Sequence, residues 1–255
     1  MGSPTSQPDA GRHARTSRVS HREPAANLTR RVYEQLRESI VGLKLSPGVP
    51  VSELDLCRRL GASRTPVHEA ICRLQRDGLL TMARVGPKPR LVVAPLTADD
   101  MRQLFLMVGA LDGVAARLAA QLEAPARLAL VERLERFNGE LRQFSQDPEV
   151  LGSLRVEQLD KSFHRTYEAA ASAPQLSAEL EALHARRERY VRVYTEALVH
   201  AHNLRESVAE HDAIVAALRA GDADAAEQRA AFNHRNALQR FTRALEANGE
   251  RGSWF

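Results

Sequence analysis

The sequence predicts a mainly α-helical fold, in which an N-terminal winged helix-turn-helix domain precedes a C-terminal all-α helical bundle. Two observations predict it. Residues 52–94 read as a short helix, a turn, a second helix and a basic hairpin. From residue 97 to 247 apolar residues recur at helical spacing, with only short breaks between segments. The predicted boundaries are a disordered basic arm at 1–26, the winged domain at 27–95, the helical domain at 96–247 and a tail at 248–255, which we expect to be frayed.

The N-terminal arm is expected to lack fixed structure. Residues 1–26 are rich in Pro, Ser, Arg and Gly and almost free of large apolar side chains. They contain no apolar core of a secretion signal, and no run approaches the ~18 apolar residues of a membrane span. We therefore expect a cytoplasmic protein with no membrane partner. A first helix is predicted over 28–43, because Val32, Leu36 and Ile40 follow one helical face.

Local signals place the next two helices and the hairpin. Ser52 and Asp55 form a capping box before the first of these helices, and Gly61 supplies the turn after it. Thr65 is predicted to cap the following helix, since a proline comes next, and Gly78 ends that helix. Two β-prone runs, 79–83 and 91–94, then predict a hairpin. Its charged tip contains Arg84, Gly86, Lys88 and Arg90.

Positive charge is concentrated in the winged domain. Residues 27–94 hold twelve Lys and Arg against six Asp and Glu, a net +6, whereas residues 95–255 hold twenty against twenty-four, a net −4. A solvated Arg-rich surface would explain the excess alone, but its combination with helix-turn-helix spacing favours double-stranded DNA as partner. Arg64 is predicted to read a base, because arginine pairs bidentately with guanine. The full set of predicted DNA contacts is Ser63, Arg64, Thr65, His68, Arg73, Arg84, Lys88 and Arg90.

The chain has two cysteines, Cys57 and Cys72. Both lie at helical positions of the winged domain and lack CxxC spacing. We interpret them as free thiols of a reducing compartment, with a redox sensor as the alternative.

The second domain is predicted to contain about six helices with short connections. Thr97, followed by Ala-Asp-Asp, signals the first helix start, and breaks fall at 147–148, 172–174 and 221–222. A bundle of this kind offers its interior to a ligand. The segments comprise two apolar stripes starting at Leu104 and Leu128, followed by 153–171, 174–198, 203–220 and 222–247.

Histidines on these helices suggest a metal site. Asp160 and His164 stand four residues apart, so their side chains project from one helix face. His211 and His234 lie on two later helices. Three imidazoles and one carboxylate would suit Zn²⁺, Ni²⁺, Mn²⁺ or Fe²⁺ and leave open positions for ligand oxygens. A solvated ion pair is the alternative. The other histidines of this domain are interpreted as surface or structural residues: His184, His200 and His202.

The chain resembles the GntR superfamily of bacterial transcription regulators. In the winged domain the resemblance rests on residues 32–37 (VYEQLR), 45–48 (LSPG), 60–67 (LGASRTPV), 73–74 (RL) and 77–80 (DGLL). The helical part is similar to the FadR-type ligand-binding domain called FCD. There the matching stretches are 111–120 (LDGVAARLAA), Asp160-x-x-Phe163-His164, Glu210-His211-x-x-Ile214 and 217–222 (ALRAGD).

This resemblance implies a dimeric, metabolite-responsive regulator, usually a repressor. It implies that Asp160, His164, His211 and a histidine of the last helix bind a divalent metal, which helps to hold a small carboxylate effector. A homodimer would present two recognition helices to a near-palindromic operator. We expect the effector to release the DNA.

The chain departs from the family pattern at three places. The last metal histidine is expected where this chain has Asn233, and a histidine comes one residue later at His234. We favour His234 as ligand, with Asn233 facing the metal as the open alternative. Val108 stands where many relatives have arginine, so either the effector is less acidic than theirs or another cation holds it. His68 stands where arginine is common in the recognition helix.

The replacement cation is sought on the predicted helix at 174–198. This helix carries Arg186, Arg187, Arg189 and Arg192 beside Tyr190 and Tyr194. The predicted effector contacts are Arg186, Arg189, Tyr190 and Asn233.

Two other functions stay open on the residues alone. The helical domain could be a metal-dependent enzyme with the winged domain as an anchor, but no nucleophile or general base accompanies the metal residues, so no enzyme is expected. The bundle could also be empty and serve dimerisation only.

Overall fold

The computed structural model describes residues 2, 25–85, 87–146, 154–198 and 201–252. Most of the predicted arm lies outside these residues, as do Gly86, His200 and Trp254. Within the described ranges the chain forms nine helices and one two-stranded antiparallel sheet. The elements are α1 (Ala25–Val41), α2 (Glu53–Leu60), α3 (Arg64–Arg76), β1 (Leu80–Val85), β2 (Lys88–Val93), α4 (Ala98–Ala120), α5 (Ala124–Phe144), α6 (Leu154–Ala170), α7 (Pro174–Leu198), α8 (Ala201–Ala220) and α9 (Ala223–Asn248). The predicted fold class is confirmed.

The winged domain is built from α1–α3 and the hairpin. α1 packs against α3, and their apolar faces share one core with the strands. The hairpin pairs Leu80 with Val93 at its base and Val85 with Lys88 near its tip. The fully buried residues of this core include Val32, Ile40, Val67, Leu74 and Leu79. Alternating apolar and charged positions thus turn one side of each element inward and leave the charges on the surface.

Helix starts in this domain follow the predicted signals with two shifts. The Ser52 hydroxyl accepts a hydrogen bond from the Asp55 N–H at 3.3 Å, as the capping box predicts. α3 begins at Arg64 with Ser63 at the N-cap, not at Thr65, so the proline falls at the third helical position. Proline is tolerated there because first-turn N–H groups have no intrahelical acceptor. α1 starts at Ala25, inside the predicted arm, since alanines favour helix.

α4 is the central helix of the second domain. It contacts α6, α7, α8 and α9, and its contact with α9 is the most extensive of these. Two glycines allow the close approach: a Cβ at Gly109 would lie 3.0 Å from the His234 Cβ, and one at Gly113 would lie 3.1 Å from the Glu227 carbonyl oxygen. The spacing of these glycines, one turn apart, therefore fixes which residues of α9 face α4.

α4 is also apolar enough to resemble a membrane span. Its best window has a mean hydropathy of 1.4, and in length and composition it could cross a bilayer, unlike the expectation from the sequence. More than half of that window is buried inside the protein (56%). The central position of α4 accounts for its apolar composition, because a helix surrounded by other helices is apolar over most of its circumference.

The segment after α9 is ordered against the domain junction, where a frayed tail was predicted. Arg251 exchanges two backbone hydrogen bonds with Leu96, of 2.8 and 3.1 Å. Gly252 lies so close to the winged domain that a Cβ on Gly48 would meet its Cα at 2.6 Å. The connector at Leu96 leaves backbone groups free, and pairing with the C-terminal segment satisfies them.

α7 joins the two domains along its length. Ala185 is buried in the core of the winged domain, although α7 belongs to the bundle. Arg37 of α1 donates to Glu181 at 2.7 Å. The winged domain is therefore held against the bundle chiefly through one helix.

Candidate DNA-binding surface and metal centre

The first turn of α3 presents three polar side chains to solvent. Arg64, Thr65 and His68 are exposed, while Pro66 and Val67 on the other side are buried. The Ser63 hydroxyl, at the N-cap position, makes no capping hydrogen bond to this turn. The N-terminal N–H groups and the Arg64 guanidinium are thus available to an anionic partner.

Two predicted DNA contacts already have partners within the domain. The His68 Nδ1 lies 3.3 Å from a Glu53 carboxylate oxygen, and its Nε2 lies 3.6 Å from the Cys72 sulfur. The guanidinium carbon of Arg73 lies 3.8 Å above the centre of the Tyr33 ring. We therefore assign Arg73 a packing role first, because a cation stacked on an aromatic face loses part of its reach.

The wing places the other predicted contacts on one hairpin. Arg84 stands opposite Pro89, Lys88 opposite Val85, and Arg90 opposite Ala83. All three basic side chains are exposed. Both cysteines are unpaired thiols, with Cys72 exposed on α3 and Cys57 half-buried on α2. The basic surface therefore combines one helix N-terminus and one hairpin edge.

In the bundle, Asp160, His164 and His211 meet at one point. Their ligand atoms lie within 4.8 Å of one another, and the His211 Nε2 is 3.6 Å from the nearer Asp160 carboxylate oxygen. Both histidines are fully buried, whereas Asp160 keeps 36% of its side chain exposed. Phe163 stacks on the His211 ring at 4.0 Å and holds its plane. We call these three residues the cation cluster.

Each histidine of the cation cluster has its Nδ1 engaged elsewhere. The His211 Nδ1 lies 3.2 Å from the Asn138 side-chain oxygen, and Asn138 is itself fixed by donating to the Val208 carbonyl and to Asp212. The His164 Nδ1 lies 2.8 Å from the Tyr167 hydroxyl. In both rings Nε2 is the nitrogen left for a cation, since metal-binding histidines donate through the other nitrogen.

The His211 Nε2 is buried and has no hydrogen-bond partner among the described residues. Burial lowers the pKa of His211 to about 3, so the ring is neutral and carries an unshared electron pair on this nitrogen. An unpaired buried acceptor is costly unless a ligand satisfies it. With a carboxylate and a second imidazole alongside, the donor set fits a divalent cation.

The charges around the cluster keep its carboxylate ionised. Burial would raise the pKa of Asp160, but His164, His211 and Arg187 together hold it below its usual value. Burial would lower the pKa of His164, but the neighbouring Asp112 carboxylate raises it above its usual value. The cluster thus combines one ionised, solvent-facing carboxylate with two buried imidazoles.

His234 lies beside Asp112, and its ring centre is 5.0 Å from that of His164. Its Nε2 is 2.7 Å from an Asp112 carboxylate oxygen, and both side chains are fully buried. Two groups of side chains have potential ligand atoms close together. One is the cation cluster, and the other consists of Asp112, His164 and His234. His164 is common to both. The predicted four-residue metal set is therefore split between two groups.

Asn233 does not take the place of His234 at the cluster. It donates to Glu210 at 2.7 Å, and Glu210 also accepts from Asn236 and Arg240. This polar group is part of the contact between α8 and α9. The prediction that Asn233 contacts an effector is not supported by this placement.

Arg187, which was on the predicted helix but not among the chosen contacts, is the guanidinium nearest the cation cluster. It lies 3.8 Å from Asp160, its side chain is only 12% exposed, and within the described residues it makes no hydrogen bond. A buried guanidinium with one long ion pair retains donors for an anionic ligand.

The chosen effector contacts Arg186, Arg189 and Tyr190 lie at the domain junction instead. Arg186 pairs with Asp100 and covers Gly78, where a Cβ would meet its side chain at 3.0 Å. Arg189 is 2% exposed and donates to the Ala94 carbonyl. The Tyr190 hydroxyl lies 2.8 Å from Asp100. Because each residue turns a helix by about 100°, Arg187 faces the cluster while Arg186, one residue earlier, faces Gly78 of the winged domain.

His184 is a structural residue, which is one of the two roles, surface or structural, that the sequence analysis left open for it. It is buried, and its Nε2 lies 2.8 Å from Glu168. Sequence reasoning missed Asp112, Asn138 and Arg187. A signal existed for Asp112, because it is the sole charged residue of the apolar run 104–116. A lone carboxylate in the middle of such a run predicts a buried partner.

Comparison with known proteins agrees with the two-domain organisation. The family model "Bacterial regulatory proteins, gntR family" matches residues 28–86, and the FCD domain model matches residues 103–247. The transcriptional repressor RspR of Escherichia coli is 26% identical over 235 residues, which cover 91% of this chain and 95% of RspR. A probable D-xylose utilization operon repressor of Paenarthrobacter nicotinovorans is 31% identical over 188 residues, 72% of this chain and 75% of that protein.

Solved structures share the fold. The Escherichia coli protein McbR/YncC has a TM-score of 0.62 at 22% identity, and the match covers 85% of this chain and 97% of that one. A GntR regulator from Rhodococcus sp. RHA1 has a TM-score of 0.60 at 22% identity, with coverage of 85% and 98%. At this identity the likeness concerns the arrangement of the helices and not their ligands.

Proposed function

The chain belongs to the GntR family of bacterial transcription regulators and carries an FCD domain, and on that premise we propose that it is a cytoplasmic repressor whose FCD domain binds a small carboxylate through a divalent metal. The observation that carries this proposal is the cation cluster: two imidazole nitrogens and one carboxylate converge in the bundle, and one of those nitrogens has no hydrogen-bond partner in the part of the chain that the structure describes.

Sequence recognition is assigned to the first turn of α3. Arg64 extends from an exposed, uncapped helix start, which is the part of a recognition helix that approaches base edges in the major groove. Ser63, Thr65 and His68 surround it. The wing residues Arg84, Lys88 and Arg90 contact phosphate or the minor groove and contribute affinity with little sequence preference.

The effector is assigned to the solvent-facing side of the cation cluster. A metal held by Asp160, His164 and His211 supplies a Lewis-acidic centre with open positions, of the kind that Zn²⁺, Ni²⁺, Mn²⁺ and Fe²⁺ accept. Arg187 stands beside Asp160 and supplies a second positive group. A carboxylate that contacts both the metal and the Arg187 guanidinium is bound by charge attraction and by directional hydrogen bonds. Arg187 thus fills the role left open by Val108.

α7 is assigned the coupling between effector and DNA. One side of this helix contacts α6 through His184, Arg187 and Glu188. The other side contacts the winged domain and its connector through Ala185, Arg186 and Arg189. A carboxylate that draws Arg187 away from Asp160 displaces α7, and Arg186 transmits the movement to Gly78 at the end of α3. We expect this to release the DNA.

A homodimer is proposed through the outer face of α4. Leu106, Met107 and Val114 are exposed at helical spacing on one side of this helix, with Phe232 exposed on the neighbouring α9. Contiguous exposed apolar side chains mark association surfaces. A twofold dimer would place two α3 helices for a near-palindromic operator. Size determination in solution tests this: Leu106→Asp gives monomer, whereas Leu128→Asp, an equally exposed leucine on α5, leaves the dimer intact.

The central test is an operator titration with the fragment upstream of the gene. The protein binds this fragment, and Arg64→Ala weakens binding while Arg136→Ala, an exposed arginine on α5, does not. Addition of metal together with a small carboxylate then lowers the affinity, and the metal alone does not. Failure to bind at low ionic strength would overturn the assignment of α3. An unchanged affinity across a carboxylate screen would instead favour an empty, dimerising bundle.

Enzymatic activity is not proposed. The cation cluster has no nucleophile with an adjacent base among the described residues, and regulators of this family are not enzymes. Turnover of a candidate carboxylate by metal-loaded protein would contradict this statement.

A further inference from the structure

The buried carboxylate of Asp112 contacts His164 and is not a member of the cation cluster. One Asp112 oxygen is 2.7 Å from the His234 Nε2 and 3.2 Å from the His164 Nδ1, and it accepts the Tyr167 hydroxyl. Asp112 and His234 are 0% exposed. These contacts make one connected group, and its only member shared with the cation cluster is His164.

This arrangement fixes the proton on His164. A carboxylate and a phenol oxygen beside Nδ1 favour the ring form that carries its hydrogen there, which leaves the electron pair of Nε2 for the cation. Asp112 therefore orients the His164 ring as a fully buried hydrogen-bond acceptor, and the His234 Nε2 and the Tyr167 hydroxyl hold this carboxylate in place.

The Nε2 of His234 is engaged by that carboxylate, while its Nδ1 has no hydrogen-bond partner among the described residues. It stands one residue after Asn233, and one residue turns the helix by about 100°. The contact at Gly109, where a Cβ would meet the His234 Cβ at 3.0 Å, holds this part of α9 against α4. His234 consequently belongs with Asp112, and no group of close ligand atoms in the described residues contains it together with Asp160 and His211.

We propose that Asp112 is a positioning residue of the metal centre and that His234 holds Asp112 instead of binding the metal, so that the protein supplies three ligands, Asp160, His164 and His211. This inference rests on the proposed metal-dependent function. Three protein ligands leave an additional open position compared with the four-residue set that the sequence suggests, and this position is available to effector oxygens.

Metal affinity of matched variants tests the inference. Co²⁺ and Zn²⁺ binding are measured by calorimetry, together with the visible absorption of the Co²⁺-loaded protein. His211→Asn keeps the donor to Asn138 but removes Nε2, and its affinity falls by more than the ~100-fold upper end of outer-shell effects. His234→Gln keeps an N–H for Asp112, so its affinity falls by less than ~10-fold and the Co²⁺ spectrum is unchanged. Asp112→Asn weakens binding about 10- to 100-fold.

A spectroscopic readout separates positioning from simple destabilisation. In metal-free wild type, ¹⁵N chemical shifts of the histidine rings show His164 protonated at Nδ1, and Asp112→Asn shifts this population toward Nε2. Thermal unfolding of each metal-free variant checks the fold. If Asp112→Asn does not fold, the metal affinity of His234→Gln still tests the three-ligand set, and the ¹⁵N shifts of the wild-type His164 ring still test the role of Asp112.

The possible outcomes distinguish a failure of the proposed metal function from a failure of the three-ligand inference. If wild type binds neither metal, the metal part of the proposed function is overturned, and the positioning role with it. If wild type binds but His234→Gln loses as much affinity as His211→Asn, or its Co²⁺ spectrum changes, only the three-ligand inference is overturned. A neutral His164 ring that carries its proton on Nε2 and none on Nδ1 in wild type would contradict the role of Asp112.

Discussion

Replacement of His211 by asparagine should make the metal-free protein less sensitive to acid. Burial lowers the pKa of His211 from 6.5 to about 3. Between these values the unfolded chain binds a proton that the folded protein does not, so the free energy of unfolding decreases as the pH falls below about 6.5. The penalty is complete only at about pH 3.

The size of the effect follows from the two pKa values. Between pH 7.5 and pH 5 the His211 contribution to the free energy of unfolding falls by about 2 kcal/mol, at ~1.4 kcal/mol per unit below 6.5. His234, whose pKa is also lowered, adds to this loss, whereas His164, whose pKa is raised, opposes it. Comparison with His211→Asn isolates the His211 part, because asparagine does not titrate and can still donate to Asn138.

The assay is urea unfolding of both proteins with a chelator present, at pH 7.5 and pH 5. The variant is less stable than wild type at pH 7.5, since it loses the stacked ring, but its loss on acidification is smaller by about 2 kcal/mol. Equal pH dependence in the two proteins would refute the reasoning, because it would mean that His211 is solvated or already charged in the fold.

Three further predictions concern the DNA surface, the helix contact and the domain junction. Arg64→Ala weakens operator binding by about 1–3 kcal/mol and broadens sequence preference. Lys88→Ala lowers the affinity for all DNA sequences alike and reduces the slope of log affinity against log salt concentration by about one. Titration of specific and random duplexes at several salt concentrations measures both effects. Gly109→Ala lowers stability by about 1–3 kcal/mol because its Cβ meets His234, whereas Gly139→Ala, on α5 with open space around it, is neutral or stabilising; denaturant midpoints compare them, and equal midpoints would contradict the close contact. Arg186→Ala leaves effector affinity for the free protein within a few-fold but reduces the effect of the effector on DNA binding; a full response in this variant would exclude the α7 route.

The bounds of most helices could be predicted from the sequence, whereas contacts between residues distant in sequence could not. Capping residues and helical periodicity are local, so they placed α2 and α4–α9 to within a few residues. The start of α3 was shifted because several first-turn positions tolerate proline. The ordered segment after α9 could not be predicted, since its backbone partner is Leu96, more than 150 residues earlier.

The residue types of the metal centre were visible in the sequence, but their grouping was not. The spacing of Asp160 and His164 places both on one face of any helix that contains them. Whether His234 joins them depends on how α9 rotates against α4, and the glycines at 109 and 113 settle this only when the two helices are packed. The same applies to α7, where Arg187 and Arg186 are adjacent in sequence and face different domains.

The sequence by itself determined the two domains, the basic helix and wing, and the residue types of the proposed metal centre, because these depend on neighbours within one or two helical turns. Only the tertiary structure decided that Asp112 holds His164 and His234, that Arg187 faces the cluster, and that Arg186, Arg189 and Tyr190 connect the domains. Each of these depends on the rotation of one packed helix against another, which adjacent residues do not encode.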